Sequence, residues 1–293
     1  RLFLTVDGNY NGQPVTARLT INGVADPIVV IANAKGGGKD NSLATTLNID
    51  IPGAAIPAGF NYKVELLQPT SAFKGANPAA RYPESGFAST NAQSVGQTLK
   101  IVLVPVIYGA DGSDRLPDTS PAMVQGYKDL FYGMYPVPAV DITVRAAVQY
   151  NSAVNANGNG WDGLLGYIGQ VRADDNAPFD AYYYGIFSPS NSVGQYCGGG
   201  CVAGLGNIGG PGDPYSRAAI GLGFSADGGA IAWETAVHEI GHTHGRYHSP
   251  CGGAAGTDPA YPYDNAIIGV WGYNLLSKQL YNTTGYTDVM GYC

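Results

Sequence analysis

All four histidines of this 293-residue chain fall in one short run, His238-Glu239-Ile240-Gly241-His242-Thr243-His244-Gly245-Arg246-Tyr247-His248. Two histidines at i and i+4 lie on one helical face, about 5–6 Å apart at Cβ, so both imidazoles can reach one metal ion. Gly245, three residues after His242, is where such a helix can stop, because glycine tolerates the left-handed conformation. The chain can then turn so that His248 approaches the same ion from another side. Three protein ligands with an open fourth position are the arrangement of a catalytic zinc site. Glu239 follows the first ligand and can point at that open position, where a carboxylate can take a proton from water at the metal. With Gly245 and His248 at fixed offsets, the chance rate of the pattern falls to on the order of 10⁻⁵ per chain. His244 sits off the ligand face and is expected to be exposed or packed, not coordinating.

The totals exclude several other classes. The net charge is −7 with no cluster of Lys or Arg, which argues against a nucleic-acid partner. No apolar stretch reaches the ~18 residues that span a bilayer; the longest, Ile101 to Tyr108, contains Pro105. No signal-peptide pattern stands at Arg1, so a mature or trimmed chain is expected. A 45% hydrophobic content with 21 tyrosines suits a packed, loop-rich fold.

Four cysteines allow three disulfide connectivities. The pairing 197–201 with 251–293 is preferred, since the three glycines between Cys197 and Cys201 let close neighbours bridge. Reduced thiols, or a structural zinc site of Cys197, Cys201, His238 and His242, are the alternatives. An even count of paired cysteines implies a secreted, extracellular chain.

Organisation changes near residue 98. Before it, Val15, Ala17, Leu19 and Ile21 alternate with polar residues, as do Leu47, Ile49 and Ile51, and Tyr62, Val64 and Leu66. That period of two predicts half-buried strands and a small all-β sandwich over 1–98, with residues 74–98 as a long loop or linker. After it, Leu99–Tyr108, Val140–Val144, Ala181–Phe187 and Ala218–Phe224 read as strands. Residues 121–134, N-capped by Ser120, Trp161–Val171 and a stretch from Gly229 through His242 read as helices. Residues 99–293 are therefore expected to form an α+β domain. Trp233 and Trp271 read as core residues. Asp258, Asp264 and Asp288 lack the spacing of a calcium loop.

His-Glu-x-x-His-x-x-Gly-x-x-His followed by a Met within Asp288-Val289-Met290-Gly291-Tyr292 resembles the metzincin clan of zinc endopeptidases. Within it, Leu99–Cys293 is similar to bacterial secreted metalloproteases related to the enterobacterial mucin-cleaving enzymes. That similarity rests on Leu103-Val-Pro-Val, Arg115-Leu-Pro-Asp, Tyr182-Tyr-Tyr-Gly, Tyr196-Cys-Gly-Gly-Gly-Cys and Ile268-Gly-Val-Trp-Gly-Tyr273. The resemblance implies a zincin-like fold, with a twisted sheet and backing helix above the cleft and the active-site helix along its floor. It implies Zn²⁺ on His238, His242 and His248, Glu239 as catalytic base, Met290 as a structural floor and Tyr292 as a stabiliser of the transition state. It also implies an edge strand near Val202–Asn207 against which an extended protein or glycoprotein substrate lies. The clan's chain ordinarily continues past its Met-turn, whereas this sequence ends at Cys293. The expected protein is thus a secreted, bacterial, monomeric zinc endopeptidase. The alternative is an adhesion or carbohydrate-binding protein whose zinc domain is inactive or structural.

Overall fold

The computed structural model describes residues 1–6, 8, 10, 12–53, 56–67, 80–93, 96–226 and 228–293. The chain divides into two compact units, Arg1–Val95 and Gly96–Cys293, three residues before the division expected from the sequence after residue 98.

The first unit is built on one antiparallel sheet. Strands β1 (Pro14–Ile21), β2 (Ile28–Asn33), β3 (Asn61–Leu67) and β4 (Arg81–Tyr82) run in the order β2-β1-β3-β4, and β5 (Ala88–Ser89) also pairs with β3. Leu19 lies opposite both Ile28 and Val64. Its period-two partners Ala17 and Ile21 are buried with it, as alternation requires when one face is covered. The cover is not a second sheet among the described residues, which corrects the expected sandwich. Leu2, Ile49 and Ile51 pack on Leu19, Ile21 and Val64, but of the predicted strand Leu47–Ile51 only Leu47 is bridged, to Leu2. Part of the expected 74–98 loop is also sheet, since β4 and β5 fall inside it; residues 74–79, 94 and 95 of that loop lie outside the described residues.

The second unit is mixed α and β. Its strands are β6 (Leu99–Tyr108), β7 (Val140–Val144), β8 (Val148–Tyr150), β9 (Ala181–Phe187), β10 (Gly204–Gly206) and β11 (Ala218–Leu222), ordered β10-β11-β9-β6-β7, with β8 also on β6. All neighbours are parallel except β10, which runs antiparallel to β11 at the sheet edge. Every residue of β9 is buried, the mark of a central strand covered on both faces. Ala181, Tyr183 and Phe187 face helix α2 (Trp161–Asp174), with Trp161, Leu164 and Ile168. Tyr182, Tyr184 and Ile186 face helices α1 (Pro121–Met134) and α4 (Ala230–Thr243). A short helix α3 (Val193–Cys197) leads toward β10, and a hairpin of β12 (Gly272–Tyr273) and β13 (Leu280–Tyr281) lies in the last, mostly irregular stretch.

Helix α1 starts where Ser120 accepts a hydrogen bond from the Met123 amide, with Pro121 in the first turn. Trp233 packs against α1 and donates its indole N–H to the Met123 carbonyl at 3.1 Å, whereas Trp271 is 38% exposed and not the core residue expected. Both preferred disulfides are present, with Cα–Cα distances of 4.7 Å for Cys197–Cys201 and 5.8 Å for Cys251–Cys293. No helix among the described residues is long and apolar enough to cross a membrane.

Candidate metal centre

Helix α4 delivers two of the three ligands, and the manner in which it ends delivers the third. Gly245 takes a φ of +82°, donates its N–H to the His242 carbonyl at 2.8 Å, and is followed by Arg246 N–H to Gly241 O at 3.1 Å. Those bonds satisfy the last carbonyls of the helix and reverse the chain. A side chain at Gly245 would also collide with the Gly209 carbonyl, 2.8 Å from its Cβ position. The chain then returns His248 to the face it left, where His248 bridges to Thr257 and its carbonyl accepts from Asp258 N–H at 2.7 Å.

The three rings are aimed by backbone carbonyls. Nδ1 of His238 is 2.7 Å from Val289 O, Nδ1 of His242 is 2.6 Å from Arg246 O, and Nδ1 of His248 is 2.6 Å from Ala255 O. A carbonyl can only accept, so each Nδ1 carries a hydrogen and Nε2 is left as the ring atom that can offer a lone pair to a metal. One ligand atom from each ring lies within 4.8 Å of the others. Nε2 of His242 and Nε2 of His248 are 3.1 Å apart. Two facing lone pairs repel unless a cation sits between them. Bonds of ~2.0–2.1 Å in a tetrahedral site put neighbouring nitrogens about 3.3 Å apart, so the spacing suits a shared metal ion. Burial lowers the pKa of His238 and pushes that of His242 down to about 4, which keeps both rings neutral and ready to ligate.

Glu239 lies one residue from the first ligand and is only 7% exposed. Burial pushes its pKa up to about 8 because the charged form is cut off from water. A cation held by the adjacent histidines would favour the carboxylate again. Tyr292 stands at the rim, 57% exposed, its ring centroid 4.6 Å from that of His248 and 5.8 Å from that of His238.

The segment around Met290 is a tight turn. Asp288 accepts from the Met290 and Gly291 amides through its side chain and carbonyl, at 2.9 Å each. That turn places Val289 O on His238, and Ser249 N–H donates to Met290 O at 3.0 Å. Cys251–Cys293 ties the stretch after His248 to the residue after Tyr292. Of the residues expected at the site, His238, His242 and His248 come together as one group. Tyr292 packs on His248, Met290 packs on Gly241 of α4, and the Glu239 carboxylate lies against Gly204 and Gly206. Cys197 and Cys201 stay apart from the histidines. Those two are bonded to each other, which removes the Cys₂His₂ zinc alternative. His244 stays outside the ligand group and stacks on Tyr182, centroids 4.5 Å apart.

Sequence reasoning did not find the three carbonyls that orient the rings, since backbone acceptors carry no residue signature. It also did not find Gly204, Gly206 and Gly241, which the site uses for the space they leave. The Gly-Leu-Gly spacing of β10, alternating with the pleat, is the signal that could have shown the first two.

No protein-family model matches the chain, and no curated protein does. Among solved structures, one described as a chaperone–substrate complex aligns with 84% of this chain at 13% identity and a TM-score of 0.32, and this chain spans 33% of that one. A likeness at that level does not establish a shared fold.

Proposed function

We propose that the Gly96–Cys293 unit is a secreted zinc-dependent endopeptidase of metzincin type that cuts extracellular proteins or glycoproteins held in extended form. The observation that carries this reading is the convergence of three imidazoles, each with Nδ1 on a carbonyl, beside a buried acid on the same helix. Three imidazole nitrogen donors fit zinc, and a set with no fourth protein ligand among the described residues is that of a catalytic site, not a closed structural one. When bound, zinc supplies Lewis acidity toward the scissile carbonyl and makes water acidic enough to react near neutral pH.

The residues of the chain do the rest. His238, His242 and His248 fix where that chemistry happens. Glu239, one residue along α4, accepts a proton from the attacking water and returns it to the leaving amine. Tyr292, at the rim, donates its hydroxyl to the oxygen that gains charge. Strand β10 is the last strand of its sheet, and an extended substrate would add to it by main-chain hydrogen bonds. Two disulfides support an extracellular setting.

The test is zinc content beside hydrolysis of casein and a peptide library, for wild type and three variants. Glu239→Gln keeps zinc and loses about 10²–10⁴-fold in rate. His242→Ala loses zinc and activity together, and Tyr292→Phe keeps zinc with a milder loss of turnover. A zinc-loaded Glu239→Gln protein that cleaves at the wild-type rate overturns the mechanism, and a wild type that cleaves nothing overturns the function.

A further inference from the structure

Strand β10 carries its one large side chain, Leu205, toward the α2 side of the sheet. On the opposite face it carries only Gly204 and Gly206. That face lies directly on α4. A Cβ on Gly204 would stand 2.5 Å from both Cγ and Oε1 of Glu239 and 2.5 Å from Thr235 Cγ2. A Cβ on Gly206 would stand 2.5 Å from the Glu239 carbonyl oxygen and 3.2 Å from Oε2. Real Cβ atoms do not make contacts that short, so the edge strand reaches the helix only because both positions lack a side chain. Neither glycine has a positive φ, so backbone conformation does not require glycine there.

We propose that Gly204 and Gly206 are positioning residues that seat the sheet edge on the Glu239 side chain and fix where its carboxylate points. The inference rests on the endopeptidase reading for its consequence, though not for its geometry. The Glu239 side chain has several rotatable bonds; its Cγ and Oε1 lie against the Gly204 position and its Oε2 near that of Gly206, so the strand backbone limits where the carboxylate can swing. Because β10 is also the edge that would receive an extended chain, the same two glycines set the distance between that chain's backbone and the acid. A methyl group at Gly204 lifts the strand or turns the carboxylate aside, and misplacement of a reacting group by ~1 Å costs on the order of 10²-fold in rate.

Gly185 of β9 supplies a control on the α2 side of the same sheet, where a Cβ would stand 2.7 Å from Ile168 Cγ1 and 3.0 Å from Ile220 Cγ2. The experiment is a double-mutant cycle on unfolding midpoint, run beside kcat and KM, using Gly204→Ala, Gly185→Ala and each combined with Glu239→Ala. Gly204→Ala is expected to keep zinc and KM, to lose on the order of 10²-fold in kcat, and to lower the unfolding midpoint. In the Glu239→Ala background part of that midpoint loss disappears, because one of the two side chains it strikes is gone while Thr235 remains. Gly185→Ala also lowers the midpoint, but its loss is the same in both backgrounds and kcat stays near wild type. Should Gly204→Ala fail to fold alone, recovery of the fold in Gly204→Ala/Glu239→Ala supports the seat in the same way. A Gly204→Ala protein with wild-type kcat, or an equal midpoint loss in both backgrounds, overturns the proposal. The midpoint cycle needs no peptidase activity, so a wild type that cleaves nothing sinks the functional reading while the cycle still decides the seat.

Discussion

The thioether of Met290 occupies the space that a side chain at Gly241 would need. A Cβ on Gly241 would lie 2.6 Å from Met290 Sδ and 3.4 Å from Cε. Gly241 sits between the ligands His238 and His242 on α4, so the methionine, 5% exposed, packs against the helix at the level of the histidines. The contact joins the two segments that aim His238: α4, which carries the ring, and the turn at Val289, which holds its Nδ1.

That contact reverses the usual effect of replacing a helical glycine. Alanine is favoured over glycine inside a helix by about 0.8–1.0 kcal/mol, yet here the added methyl strikes Met290. Gly241→Ala is expected to lower the unfolding midpoint in the wild-type background, at a cost of about 1–3 kcal/mol for overpacking. In a Met290→Ala background the same change is expected to raise it. Urea titrations of the four proteins check this. A stabilising Gly241→Ala in both backgrounds would show that Met290 does not bear on the helix.

The two disulfides should differ in weight. Cys251–Cys293 closes a sequence separation of 42 residues and Cys197–Cys201 one of 4. On chain entropy, loops of those lengths are worth about 4 and about 2 kcal/mol. Replacing Cys251 and Cys293 by serine should therefore lower the denaturant midpoint more than replacing Cys197 and Cys201. It should also weaken zinc retention, because Ser249, two residues before Cys251, bonds to Met290 O in the turn that holds His238. Intact mass with and without reductant confirms the starting state. Equal midpoint losses for the two pairs would mean that the longer loop does not restrain the unfolded chain.

Residues 99–293 were more legible in sequence than residues 1–98, for a physical reason. Strands such as β6 and β9 and helices such as α1 carry runs of apolar residues with a clean period, bounded by caps like Ser120. Their burial is dictated locally. In the first unit, Leu47, Ile49 and Ile51 alternate as well as any strand, but the alternation records only that one side is covered. It does not say whether the backbone finds a ladder partner, and beyond Leu47 these residues pack without one. At the site, ligand spacing was readable because a helix fixes i and i+4. The positions of Gly204 and Gly241 were not, because each is required by a side chain distant in sequence, Glu239 and Met290. The His244 stack on Tyr182 is of the same kind, set by how α4 crosses β9.

Glu239 also gives the metal-free protein a pH dependence whose sign can be worked out. Its pKa rises from 4.5 to about 8 on folding. Between those values the folded protein holds a proton there that the unfolded chain has released, so stability falls as pH rises. The contribution is fully present below about pH 4.5, is lost as pH climbs through about 8, and is constant above that. His242 has the opposite sense, since its pKa falls from 6.5 to about 4 and stability gains as pH rises through that interval. The two are separated by Glu239→Gln, which keeps His242 and removes the acid. In chelator-treated protein the Gln variant should match wild type near pH 4.5 and exceed it increasingly toward pH 8, by on the order of 3 kcal/mol at pH 7. Added zinc should shrink the difference, because a cation beside the carboxylate favours its charged form. Guanidinium midpoints at pH 5, 6, 7 and 8 measure it. A difference between the two proteins that does not change with pH would mean that Glu239 is already charged in the metal-free fold, and that its burial is relieved by a donor or water reaching the carboxylate.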